Sequence, residues 1–586
     1  MTNKDSINEL LNPQEDENFK GFDNETAKDS TKSDTKINSQ VSEPEKQNEQ
    51  VVQEENTDTT IHKLTPEDMK LGGHKPLITL FRLIIGPILS QGTNALYGII
   101  TTIWISKAIG DDGLSAVSMM QAFDNIGRSF GFFLAMAAAT QISFLYGKGK
   151  SEEAGQIIAD LIRTSFICGA IVCALLLPIL KPITKWFGAS DDIVQLGFEY
   201  MLPLTACAFN SCLFIASGGF LQGEGRTFLF GMSNVICLVL NMVVFNPIFL
   251  FWFKVGIIGA SSATVISEFI PGIIIIILFY CHKFGVKPRF SQFCNKFSPN
   301  TLPALKVGFS TLIAQLSMSI PSVLIRKYMG LACDKDQQKF ADVMAGFNAS
   351  SRICYLPYSV VCALSQAYIP AASYSYAAKR YKRYLKLTLY MCLMMFIWSV
   401  LTCIMTWVIP VPLSKMFSSG EGYTKYASKM IMYNNALGFL AWFRLASQSV
   451  LQSLQMGSRA TILSFISNFV GIIIFNYILY YSNPHDPVRM IWTYPLTHAS
   501  SSIVCVCFLW KPIKNLIKLS KEDDQEEKYT KLFEMELEEI NDTNNNDLNN
   551  KVKFIDKKEE NEVEAMKNEV EEMKNEEIKE INEELL

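Results

Sequence analysis

The sequence predicts an all-α integral membrane protein: twelve transmembrane helices in two six-helix lobes related by a parallel repeat. Three observations carry this. Between Leu77 and Trp510 run about a dozen apolar segments, each roughly 20 residues or longer and able to cross a ~30 Å hydrocarbon core as a helix. The stretches on either side are polar and low in complexity, so the mean hydropathy of +0.16 averages an apolar core with two hydrophilic tails. Short motifs also recur in the two halves of the core.

In chain order, residues 1–74 read as a disordered cytosolic tail, because their Asn, Asp, Glu, Lys, Ser and Thr content cannot offset chain entropy. That tail carries no apolar leader core, so insertion is expected to begin with the first spanning helix. Residues 75–282 hold six spans, near 77–105, 114–146, 156–181, 198–222, 228–252 and 257–281. A polar, basic cytosolic linker follows at 283–300. Residues 301–512 hold six more, near 305–329, 343–376, 385–410, 427–455, 460–481 and 488–510. Residues 513–586 form a charged, partly helical cytosolic tail. There, Val563, Met566, Val570 and Met573 fall at alternating three- and four-residue steps, a short coiled-coil stripe. A solvated helix and one offered to a cytosolic partner both fit it.

Loop charges set the expected orientation. Lys148 and Lys150, Arg226, the 283–300 basic cluster, Lys379 to Arg383, Arg459 and Lys511 to Lys518 fall on one side. The opposite loops mix fewer bases with acids such as Asp111 and Asp112. Both termini are therefore placed in the cytosol, with the helices in a plasma or internal vesicle membrane. Most of the 14 cysteines lie inside apolar spans, where they act as small hydrophobes rather than as a disulfide framework. No basic nucleic-acid face, metal-ligand spacing, cofactor motif, nucleotide-binding loop or catalytic constellation is present, so an enzyme is not expected.

The repeat is written in small motifs. Leu221-Gln222-Gly223-Glu224-Gly225-Arg226 ends the fourth span, and Leu454-Gln455-Met456-Gly457-Ser458-Arg459 ends the tenth. Phe245-Asn246 and Phe475-Asn476 follow, at a spacing that differs by three residues. The second and eighth spans both run into basic loops. Transporters are commonly built from such halves, with a substrate site between them.

Several motifs in order resemble the multidrug and toxic compound extrusion (MATE) family of secondary transporters over about residues 75–512. They are Gly86-Pro87, Leu96-Tyr97, Thr102 to Ile105 and Leu114 to Val117; Tyr146 to Lys150; Leu221 to Thr227; Asn241, Pro247 and Gly256 to Thr264; then Arg352 to Pro357 and Ile491 to Pro495. The resemblance implies a two-lobed exporter of small organic, often cationic compounds, xenobiotic or metabolite, in exchange for protons or sodium ions. It also implies coupling residues, and this chain departs from them. An aspartate often follows the tyrosine of the first helix by one turn; here that position is Thr101, after Tyr97. A second aspartate often precedes the fifth-helix proline; here it is Asn246. Asn241 and Thr264 match the family's polar neighbours. In the seventh helix, Gln315, Ser317 and Met318 stand where a glutamate can occur, and Arg444 stands near an acid of the tenth.

Intramembrane carboxylates are the natural coupling groups, because desolvation raises their affinity for protons. Asp124 lies four residues before Arg128, so the two can pair on one helix face. Glu268, three residues before Pro271, is the best single proton carrier; a glutamate reaching interfacial water is the competing reading. The ion-coupling candidates are thus Glu268, Asp124, Tyr97, Thr101, Asn241, Asn246 and Thr264. The substrate-pathway candidates are Gln91, Asn94, Gln315, Asn348, Arg444 and Gln448, with Arg444 either attracting an anionic group or bracing the helix. Two rival functions remain: a lipid-linked oligosaccharide flippase of the same architecture, and a membrane receptor or scaffold that transports nothing.

Overall fold

The computed structural model describes residues 66–186, 190–333, 337–417 and 420–521. Among them are helices and no strands. The first six spans are α1 (Pro76–Ala108), α2 (Asp111–Gly147), α3 (Glu153–Trp186), α4 (Asp191–Ala206 continued by Ala208–Gly223), α5 (Thr227–Trp252) and α6 (Ile257–Tyr280). The second six are α7 (Thr301–Leu331), α8 (Gln337–Ala377), α9 (Tyr381–Val408), α10 (Glu421–Asn434 continued by Gly438–Ser453), α11 (Gly457–Ser482) and α12 (Thr493–Lys521). Eight are apolar enough to cross a membrane on length and composition alone, and α4 joins them as a pair bent by 55°. The more polar α8, α10 and α12 all belong to the second lobe.

The helices of the two lobes follow one another in the same order, and two counterpart pairs end in the same way. Gly149 and Lys379 close α2 and α8 at φ 69° and 58°, while Gly225 and Gln455 close α4 and α10 at 73° and 61°. Both pairs are 230 positions apart (149 to 379, 225 to 455). Each is the left-handed residue of a Schellman cap, which satisfies the last helix carbonyls. The N–H of Lys150 donates to the Leu145 carbonyl, Arg380 to Ser375, Arg226 to Leu221 and Met456 to Leu451, all at 2.9 Å. The backbone thus corrects the register of the repeat by three residues: Leu221-Gln222 corresponds to Leu451-Gln452, not to Leu454-Gln455. The Phe245-Asn246 and Phe475-Asn476 pairs then fall in register. Both fifth helices also contain a π-helical stretch, Leu240–Phe245 in α5 and Phe465–Val470 in α11.

The lobes meet closely at the end that carries the 283–300 linker. A side chain at Gly147 would run into the Tyr374 carbonyl oxygen and Ala377 of α8, and one at Gly308 into the Phe133 carbonyl oxygen of α2. The linker is ordered by α3: Arg163 donates to the carbonyls of Phe293 and Asn295 at 2.9 and 2.7 Å, and Asp160 accepts from the Ser298 N–H at 2.8 Å. Residues 66–73, expected within the disordered tail, are instead helical, with Leu71 fully buried. Arg380 and Arg383 of the second lobe grip this segment through the carbonyls of Gly72 and His74 at 3.0 and 2.6 Å. The rest of the amino-terminal tail, and the coiled-coil stripe of the carboxyl-terminal one, lie outside the described residues.

Candidate functional site

Two connected polar clusters occupy the interior of the first lobe. In one, the Tyr97 hydroxyl of α1 bonds the Thr264 hydroxyl of α6. Asn241 donates to Thr264 and Ser267 at 3.2 and 3.1 Å, and Asn246 donates to the Asn241 side-chain oxygen at 2.7 Å. Asn241 sits in the π-helical stretch of α5, a distortion that often re-aims side chains at functional sites. Asn246 keeps its side-chain oxygen without a hydrogen-bond partner, as does the buried hydroxyl of Thr101. Neutral oxygens of this kind suit a hard monovalent cation and take up no proton near neutral pH. Among the described residues, no group of three His, Cys, Asp or Glu side chains could hold a metal ion.

The second cluster centres on Arg128. Its guanidinium meets Asp124 at 3.1 Å on its own helix and Glu268 at 2.6 Å across the lobe. Ser211 of α4 donates to the other Glu268 oxygen at 2.5 Å. Asp124 and Arg128 therefore do not form a self-contained pair; they are two members of a triad. Glu268 lies mid-way along α6 and is 2% exposed, which removes the reading that it reaches interfacial water. A cavity of about 20 Å³ beside Asp124, Arg128, Thr205 and Ser211 gives room for roughly one water molecule.

Among the described residues of the second lobe, Arg444 is a buried cation away from the linker-end pair Arg380 and Arg383. Arg444 of α10 is 5% exposed and donates to the Tyr358 hydroxyl of α8 at 2.8 Å, and it meets no carboxylate among the described residues. His498 of α12 lies close enough to feel its charge. Gln448, one turn further along α10, is buried with its side-chain oxygen unpartnered. The remaining pathway candidates do not join this cluster: Gln91 and Gln315 are half-buried, and Asn94 and Asn348 are exposed. Ser211, Ser267, Tyr358 and His498 were missed from sequence. Ser267 could have been found from its position one residue before Glu268, whereas the others depend on helix docking.

The MatE family profile matches residues 87–248 and 341–478, one stretch in each lobe. The chain belongs to the MatE family. Curated relatives include Multidrug export protein MepA of Staphylococcus saprophyticus, 20% identical over 67% of this chain and 83% of that protein. The MepA of Staphylococcus haemolyticus is 20% identical over 51% of this chain, which spans 63% of that protein's length. Protein DETOXIFICATION 26 of Arabidopsis thaliana is 25% identical over 39% of this chain and 46% of its own length. Among solved structures, a MATE protein in complex with MaL6 superposes with a TM-score of 0.69 at 21% identity, covering 78% of this chain and 100% of that one. A MOP superfamily transporter from Pyrococcus furiosus, for which a reverse polarity of the binding pocket suggests a different function, gives the same TM-score and identity over 78% and 99%. The fold of this MatE protein is therefore that of the two-lobed, multi-pass transporters, six helices to a lobe.

Proposed function

We propose that this MatE protein is a secondary active antiporter that exports small organic compounds across its membrane by alternating access, in exchange for protons or sodium ions. Glu268 carries the reading. It is a buried carboxylate held mid-membrane by Arg128 and Ser211, and it neighbours the neutral-oxygen cluster of Tyr97, Asn241, Asn246 and Thr264. Loss of the Arg128 contact would leave this buried carboxylate in need of another positive partner, a role that an arriving cation can fill. Such a group can exchange an ion for substrate as the lobes rock. The loop charges favour the linker end as the cytosolic one, so the conformation described has its lobes closed toward the cytosol. Export of multiple compounds by the MepA relatives supports an organic substrate.

Arg444 favours a second reading of the cargo. A cation without a carboxylate partner, in a buried position, would attract an anionic substrate group, whether a conjugated metabolite or the headgroup handled by a lipid-linked oligosaccharide flippase. Both readings answer to one experiment: uptake of a fluorescent organic cation and of a fluorescent organic anion into proteoliposomes under a proton gradient, a sodium gradient or neither. Gradient-driven accumulation is expected, and the accumulating dye shows the cargo charge. Arg444→Ala is expected to shift preference away from the anion. Absence of accumulation of either dye in every condition would reject the antiporter.

A further inference from the structure

Between the first turns of α1 and α5, on the outer flank of the first lobe near the linker end, lies a pocket of about 260 Å³. Lys70, His74, Arg82, Arg226, Thr227 and Phe228 line it. Its charge is one-sided. Lys70 shares Glu67 with Arg226, at 3.4 and 2.7 Å, and Arg226 also holds Glu224 at 2.9 Å. Arg82 is different. It donates to the His74 imidazole at 2.5 Å and meets no carboxylate among the described residues. Arg383 of the other lobe donates to the His74 carbonyl beside it, and the side chains that line the pocket itself carry three cations, Lys70, Arg82 and Arg226, and no carboxylate.

Two further features define what would sit there. The 13-residue helical start of α5 has no side-chain cap, so its first amides lack intrahelical acceptors and turn toward the pocket with the positive end of the helix dipole. The pocket also opens onto apolar surface. Ile78, Phe81 and Ile85 form an exposed stripe on α1 at helical spacing, and Phe228 and Leu229 flank it on α5. A stripe of this kind on a spanning helix faces acyl chains.

We propose that this pocket binds the phosphate of an anionic phospholipid from the leaflet at the linker end, with Arg82, Lys70 and the α5 amides on the headgroup and the acyl chains along the exposed faces of α1 and α5. A soluble phosphate would meet the same cations but would leave the apolar stripe without an occupant. Arg82, near the start of a spanning helix, gains a counter-ion in the only solvent layer it can reach by extending toward the interface.

The test uses the full-length protein in uncharged detergent and reads binding by native mass spectrometry, independently of transport. Phosphatidylglycerol, phosphatidylcholine and glycerol 3-phosphate are compared. Saturable binding is expected for phosphatidylglycerol alone. Each basic group contributes about 1 kcal/mol to attraction by an anionic lipid surface, so Arg82→Gln should weaken binding roughly fivefold and Lys70→Gln with Arg82→Gln roughly 25-fold. Arg82→Lys should retain most of it and controls for misfolding. Equal binding of phosphatidylcholine, equal binding of glycerol 3-phosphate, or unchanged affinity in the double variant would each overturn the assignment.

Discussion

Arg128→Met is the sharpest perturbation this structure offers. The guanidinium lies 2.6 Å from a Glu268 carboxylate whose side chain is 3% exposed. At an effective dielectric constant of about 20, that separation corresponds to roughly 6 kcal/mol of attraction. Most of it offsets the desolvation of the two ions, so the pair contributes little net stability while intact. Removing one partner is another matter. Glu268 would be left charged and buried, and Arg128→Met should destabilise by about 3–5 kcal/mol. Glu268→Gln should cost less, about 1–2 kcal/mol. Arg128 then keeps Asp124 at 3.1 Å, and the new amide keeps Ser211 as a partner. The combined variant carries no stranded carboxylate on α6 and should be more stable than Arg128→Met alone, giving a coupling term of roughly 2 kcal/mol. Unfolding in mixed detergent–SDS micelles measures all three variants against the parent. Additive costs, with the combined variant the least stable, would refute the argument that Arg128 exists to neutralise Glu268.

Three other predictions follow from contacts elsewhere. Gly147→Ala places a methyl against the Tyr374 carbonyl oxygen of the opposite lobe, and overpacking of that order costs about 1–3 kcal/mol, enough to shift a two-state population roughly 5- to 150-fold. Spin-label distances between the lobes at the linker end should lengthen; an unchanged distribution would mean that this contact does not hold the closed arrangement. Burial, together with Arg82 and Arg383, holds the His74 imidazole below its ordinary pKa of 6.5. The folded state therefore resists protonation there, and the associated stability is present above pH 6.5 and lost as the pH falls through the lowered value. His74→Gln should flatten the acid side of a melting-temperature profile. Glu224 works in the opposite sense, because burial raises its carboxyl above 4.5, so its contribution is present below that pH and is lost as the pH rises through the raised value. Melting curves of Glu224→Gln and the parent that superimpose from pH 4 to 8 would remove this carboxyl from the account.

The spans were legible because length and apolarity are strong signals, and even polar α8 and α10 were found from their apolar stretches. The repeat was legible as a fact but not in its register. Leu451-Gln452 and Leu454-Gln455 offer the same two letters three positions apart, and only the caps at Gly225 and Gln455 decide between them. The break in α4 at Cys207 has Pro203 one turn before it, and that in α10 around Asn435 to Leu437 is followed by Gly438, but a single proline or glycine inside a spanning helix is common and does not by itself announce a break. For the site, α-helical spacing exposed the local partner of Arg128, Asp124. Its second partner, Glu268, lies 140 residues away and is joined to it only when α6 docks beside α2. The same holds for Tyr358 and Arg444, 86 residues apart. Periodicity along one helix reports neighbours on that helix and is silent about which faces of different helices meet.

The register of the repeat turns these two contacts into one comparison. An offset of 230 carries Arg128 of α2 onto Tyr358 of α8, and Glu268 of α6 onto His498 of α12. Both lobes therefore place a buried polar knot at the same point of the same helix. In the first, a cation on the second helix faces a carboxylate on the sixth. In the second, a hydroxyl on the eighth faces a cation on the tenth, with an imidazole on the twelfth close by. The scaffold is shared and the charge is inverted. Over residues 301–521 the only carboxylates in the sequence are Asp334, Asp336, Asp342, Glu421 and Asp486, and of the described ones Asp342 and Glu421 lie near the starts of their helices and Asp486 in the connection before α12. A carboxylate that could exchange an ion within the membrane is thus confined to the first lobe. On the proposed reading, the two lobes divide the labour of exchange: the first senses the gradient through Glu268 and the second sets the charge of the cargo through Arg444. Glu268→Gln should then alter gradient dependence with either dye, and Arg444→Ala should alter dye preference under any gradient.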